Sequence, residues 1–150
     1  EEWAGHDLFK SLNGADCFHC HGGGLAQQNN PDMGGIANNG LDGSFSDKGY
    51  GAITNNPLDR GLFKTPTLLN IALTGPYMHD GRFTTLDQVI DHYSDNMNFQ
   101  SPTISPMLTA HSNKQLLLSK QQKADLKAFL LTMTDNEFIK NPAYSDPFKK

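Results

Sequence analysis

At 150 residues, with 37% apolar residues and a formal net charge of −4, the chain is long enough for one hydrophobic core but poorer in apolar side chains than most globular domains. The acidic balance argues against nucleic acid and anionic membranes as partners. No apolar run approaches the roughly 18 residues of a membrane span, and no signal peptide heads the sequence, although a mature exported product would read the same way.

Residues 4–15 read as an opening helix with Leu8, Phe9 and Leu12 on one face. It runs into Cys17-Phe18-His19-Cys20-His21. From Gly22 to Gly61 the chain is rich in Gly, Asn and Asp without periodicity, a loop long enough to imply that it wraps around something. Thr65-Pro66 reads as the start of a short helix over Pro66–Leu73. Thr85 with Gln88 matches a capping box, and Leu86, Val89, Ile90 and Tyr93 then follow at helical spacing, putting Tyr93 on the buried face. Ser119 with Gln122 repeats the cap, followed by Leu126, Phe129, Leu130 and Met133. Pro142 and Pro147 mark an irregular tail over 136–150. The expected architecture is all-α: one domain over 1–135, about four or five helices joined by long Gly- and Asn-rich loops.

The only two cysteines lie three positions apart, so a disulfide between them would staple nothing distant. Cys-x-x-Cys-His is the spacing of c-type haem attachment. Thiols one helical turn apart reach the two vinyl groups on one haem edge, and the next residue turns an imidazole to the iron. A haem would also supply the missing apolar volume and give the domain a cytochrome c-like fold. Three other readings compete. Cys17 and Cys20 with His19 or His21 could be part of a zinc site, though no second cysteine pair exists. A thioredoxin-like redox pair would need an alternating strand and helix pattern that is missing. The plainest alternative is a chance pairing of two structural cysteines.

Several stretches, in order, resemble the C-terminal haem domain of the bacterial di-haem cytochrome c peroxidase and MauG family. They are Leu8-Phe9 ahead of Cys17–His21, Leu62-Phe63-Lys64-Thr65-Pro66-Thr67-Leu68, Leu73-Thr74-Gly75-Pro76-Tyr77-Met78-His79-Asp80-Gly81-Arg82-Phe83, Thr85–Tyr93, and the closing segment Lys123–Leu130. The resemblance implies one covalent haem c on Cys17 and Cys20 with His21 as proximal iron ligand. At the distal position it implies Tyr93, which stands where the peroxidases have Met and MauG-like members have Tyr. Met97, one turn further along the same face, is the alternative ligand; Met78 and His92 complete the candidates, and the non-ligand reading of Tyr93 is a buried, hydrogen-bonded aromatic. The resemblance also puts His79 in the haem environment and implies a calcium ion held in part by backbone oxygens of Thr74 and Pro76. Where the family reads Thr-Leu-Arg-Asn this chain has Thr67-Leu68-Leu69-Asn70, so an Arg–propionate ion pair cannot be carried over; Lys64 or Arg82 are the substitutes. His6, His19 and His111 read as surface or loop histidines, and Trp3 as packing.

Family members carry two haem domains, and one attachment motif is present here. The expectation is therefore an electron-transfer domain that takes electrons from a small cytochrome or cupredoxin and passes them to a second haem domain, in an enzyme that reduces hydrogen peroxide. The family's peroxide-reducing haem lies in the N-terminal domain, which this sequence does not contain. The alternative is a MauG-like oxidase or peroxidase with a His/Tyr-ligated haem, and the remote one a zinc-binding module. Haem c assembly in bacteria implies a periplasmic setting.

Overall fold

Two helices far apart in sequence cross to form the frame. In a computed structural model, which describes residues 1–23, 35–109 and 115–148, α1 spans Glu2–Lys10 and α6 spans Lys120–Leu131. They touch at Gly5: a Cβ there would overlap the Asp125 carbonyl and stand 2.8 Å from Cβ of Phe129. A glycine is required because no side chain fits between the two backbones. Around this crossing Phe9, Leu68, Leu86, Ile90, Leu126 and Leu130 form the core, each worth roughly 1.5–3 kcal/mol of burial.

Both predicted capping boxes form. Ser119 Oγ accepts from the Gln122 backbone while Gln122 Oε1 accepts from the Ser119 N–H at 2.8 Å, starting α6. The Thr85/Gln88 pair starts α4, Leu86–Asp91, in the same way. α4 then passes into a π-helix, His92–Asn96, which carries Tyr93. Ion pairs Lys127–Asp87, Lys123–Asp91 and Lys123–Asp95 tie this continuous segment to α6.

The rest is short. Among the described residues lie α2 (Phe18–His21), α3 (Gly51–Thr54), α5 (Pro106–Thr109), α7 (Asn136–Lys140), 3-10 turns at Pro57–Asp59, Ile71–Leu73 and Pro142–Tyr144, and a two-residue antiparallel pair, β1 (Ile36–Ala37) with β2 (Phe63–Lys64). The molecule is thus mostly helical, but its helices are more numerous and shorter than the four or five expected.

Four expectations need correction. α1 ends at Ser11, whose extended backbone turns its N–H onto Asp7 O, so the helix does not reach 15 and Leu12 is left 54% exposed. Residues 66–73 hold only the 3-10 turn at their end. Asn70 takes a left-handed conformation (φ 59°), and its N–H bonds to Met133 O while its Oδ1 accepts from Asp135 N–H. These contacts with the chain just beyond α6 override local helix propensity. The tail is not irregular throughout, because Asp135 caps α7 and Pro142 starts a 3-10 turn whose Tyr144 stacks on Phe138 at 4.8 Å. Trp3, read as packing, is 79% exposed. Residues 24–34 of the expected long loop, and His111, lie outside the described residues.

Candidate functional site

Cys17 is the N-cap of α2, and the N–H groups of Cys20 and His21 both return to its carbonyl, at 3.2 and 2.9 Å. One turn of helix therefore sets both thiols on one side, with His21 next to them. The His21 ring is aimed by Pro66: Nδ1–H donates to the Pro66 carbonyl at 3.1 Å. That bond selects the tautomer in which Nε2 presents an electron pair, the usual arrangement of a metal-binding imidazole.

The thiols themselves are unlike a reactive pair. Burial, then the charges of Asp16 and Cys20, pushes the Cys17 thiol up to about 12, and burial with Asp16 raises Cys20. Redox-active Cys-x-x-Cys pairs need the opposite, a lowered value. Nor, among the described residues, do three or more His, Cys, Asp or Glu side chains gather as a metal site, and no helix among them is long and apolar enough to cross a membrane.

Tyr93 is half-buried. Burial pushes its phenol up to about 12; the Asn39 amide pulls the other way, and the thiols of Cys20 and Cys17 are near enough to add to the rise. Asn39 Nδ2 donates to Tyr93 Oη at 3.2 Å and to Met78 Sδ at 3.4 Å. Met78 holds φ 72°, a left-handed backbone, to make that contact. Next in sequence, His92 is 3% exposed, and its Nε2–H donates to the Asn39 carbonyl at 3.1 Å. Its pKa is lowered, chiefly by burial, so the ring is neutral at pH 7.

Met97 is buried; it follows the π-helix as its C-cap, and its backbone is held at N–H and C=O by Gln115. His79 stacks on Phe63 (3.9 Å, 13°) and shares a small cleft with Asn38 and Asn39. Thr74 ends the Ile71–Leu73 turn and Pro76 precedes the Tyr77–Phe83 bridge; both are exposed. Arg82 does not suit a propionate, because its guanidinium is committed to Asp42 through two 2.8 Å hydrogen bonds and to Asp80 through Nε at 2.8 Å. Lys64 Nζ lies 3.3 Å from Thr65 O. Sequence reasoning missed Asn39 altogether, since nothing distinguishes it from the other asparagines of the loop.

No family model matches the chain. Among curated proteins, the cytochrome-c peroxidase IdrP1 of Denitromonas iodatirespirans is 33% identical over 162 residues, covering 90% of this chain and 41% of the relative. The methylamine utilization protein MauG of Methylorubrum extorquens is 36% identical over 104 residues, covering 61% and 27%. Among solved structures, a MauG-like protein associated with microbial copper homeostasis superposes with TM-score 0.83 at 36% identity, covering 99% of this chain and 51% of that one.

The chain belongs to the di-haem cytochrome c peroxidase and MauG family. It spans about two fifths of the length of IdrP1 and about half of the solved MauG-like protein. Membership supports a haem cofactor, and the residues present fit one. The two thiols share one helical turn, the imidazole is oriented by a backbone carbonyl, and the half-buried Tyr93 phenol is held by the Asn39 amide. Such a phenol gives up its proton readily only beside a cation, which ferric iron would supply.

Proposed function

We propose that this chain is a haem c domain of a larger family enzyme, with thioether bonds at Cys17 and Cys20, His21 as proximal ligand and Tyr93 as distal ligand. Bound there, a haem supplies a one-electron couple whose potential follows its axial ligands. Pro66 O holds the His21 ring, the π-helix carries Tyr93 while Asn39 holds its hydroxyl, and the Arg82 clamp to Asp42 and Asp80 fixes the loop that carries Met78 and His79. The carrying observation is the pair of thiols on one helical turn, with the His21 ring turned by the Pro66 carbonyl so that Nε2 presents its electron pair.

Within the whole enzyme the domain carries electrons between a donor protein, a small cytochrome or cupredoxin, and a second haem domain in the periplasm. A phenolate favours ferric and higher oxidation states, so its role is closer to that of MauG than to a plain electron shuttle. The chemistry of the whole enzyme is then peroxide reduction or oxidation of a protein by a His/Tyr-ligated haem. A calcium ion at the Thr74 and Pro76 carbonyls would need ligands from the partner domain. The second reading pairs His21 with Met78, whose sulfur rests on the same Asn39 amide as Tyr93 Oη. A thioether there favours ferrous iron and makes the domain a relay.

Low-temperature electron paramagnetic resonance of the ferric, haem-loaded protein separates the two readings. Tyr93→Phe should change the signal and Met78→Leu should leave it alone. The reverse pattern transfers the ligand role to Met78.

A further inference from the structure

Asn39 is set between two residues whose backbones are firmly held. On one side Asn38, 3% exposed, donates through Nδ2 to Ser101 Oγ (2.8 Å) and Thr103 Oγ1 (3.1 Å), while its Oδ1 accepts from the Gly40 N–H at 2.9 Å and its carbonyl accepts from the Ser105 N–H at 3.0 Å. On the other, Gly40 adopts φ 70° and accepts from the Asn98 N–H at 2.8 Å. The Asn39 carbonyl is itself held by His92 Nε2–H, one residue from Tyr93. With the backbone of 38–40 fixed at several points, the Asn39 side chain has little freedom. Its amide nitrogen has two hydrogens, and it faces two acceptors, Tyr93 Oη and Met78 Sδ.

We propose that Asn39 is the positioning residue of this site: its amide holds the Tyr93 oxygen in place and, by donating a hydrogen bond to it, limits how strongly that oxygen donates to iron. The inference rests on Tyr93 as the distal ligand and goes beyond it, because it assigns the setting of the potential to a residue that touches no metal. A hydrogen bond into a phenolate draws electron density away from its oxygen. Without the donor the oxygen stabilises the ferric state more strongly, so the potential falls. The second hydrogen of the same amide engages the Met78 sulfur, which keeps the rival donor in a fixed place.

The test uses the haem-loaded protein in a Met78→Leu background, so that loss of the amide cannot simply admit the thioether. Asn39→Leu removes both hydrogens, and Asn39→Ala does so with a smaller side chain and no added charge, which serves if the leucine variant does not mature. In either variant the midpoint potential should fall by at least one tenfold step in the ferric-to-ferrous preference, about 59 mV for one electron. The ferric resonance spectrum should shift with it. A purely structural role would lower unfolding stability and leave potential and spectrum in place, and that result overturns the proposal. Tyr93→Phe, run alongside, separates the two levels: a changed spectrum there with unmoved Asn39 variants refutes only the role of Asn39, whereas an unchanged spectrum in Tyr93→Phe removes the ligand and the positioning role with it.

Discussion

Replacing Gly5 by alanine sets two effects of known size against each other. Alanine favours a helix interior over glycine by about 0.8–1.0 kcal/mol. At this position, however, the new methyl would overlap the Asp125 carbonyl and lie 2.8 Å from Cβ of Phe129. Because the first of these is backbone in α6, no rotamer change relieves it; α1 must move outward by about 1 Å to restore van der Waals separation. Overpacking of this kind costs typically about 1–3 kcal/mol and occasionally more, and the shift also opens the layer in which Phe9 meets Leu126 and Leu130. The balance is a net loss of about 1 kcal/mol, rising towards about 2 kcal/mol as that layer opens, which lowers the melting temperature by about 2–8 °C for a domain of this size. Urea titration and thermal melting of the haem-loaded protein measure it. Ala4→Gly, on the exposed side of α1, is the control and should lose only the propensity difference of about 1 kcal/mol. A Gly5→Ala protein as stable as the parent would refute the close crossing of α1 and α6.

Further outcomes follow from the same geometry. Asp80 is held below its ordinary 3.8 chiefly by the hydrogen bond from Arg82. A carboxylate lowered in the folded state contributes stability above its unfolded value and loses it as pH falls through the folded value. Arg82→Gln should therefore cost about 1 kcal/mol or less at pH 7, the groups being about one-third exposed, and the gap to the parent should close below about pH 4; a pH-independent gap in urea titrations contradicts this. Ser119→Ala removes the α6 cap and should cost about 1 kcal/mol in the same assay. Leu126→Ala, at 4% exposure, should cost about 2–5 kcal/mol; a loss below about 1 kcal/mol would mean that the core is not centred there.

The elements that were legible are those whose signals are local. The capping boxes at Thr85 and Ser119 fix their helix starts in sequence and in space, and apolar spacing found Leu86, Ile90, Leu126 and Leu130. Cys17-x-x-Cys20-His21 is legible for the same reason: one turn of helix carries the chemistry. What escaped is set by distant contacts. The Pro66 carbonyl serves His21 and Asn70 is tied to Met133 and Asp135, so an apparent helix over 66–73 became an irregular stretch ending in a 3-10 turn. Spacing found Met97, which is buried, but carried no sign that Met78 reaches the Asn39 amide through a left-handed backbone. Prolines in the tail were read as breakers, whereas Pro142 begins a 3-10 turn.

The most direct test of a covalently bound haem is the intact mass of the matured protein after denaturation and extraction of loose pigment. The predicted value is that of the polypeptide plus one haem, with a c-type pyridine haemochrome spectrum, and with the attachment reduced to a single thioether in either Cys17→Ser or Cys20→Ser and lost when both are changed. The mass of the bare polypeptide, from cells that mature other c-type cytochromes normally, would contradict it.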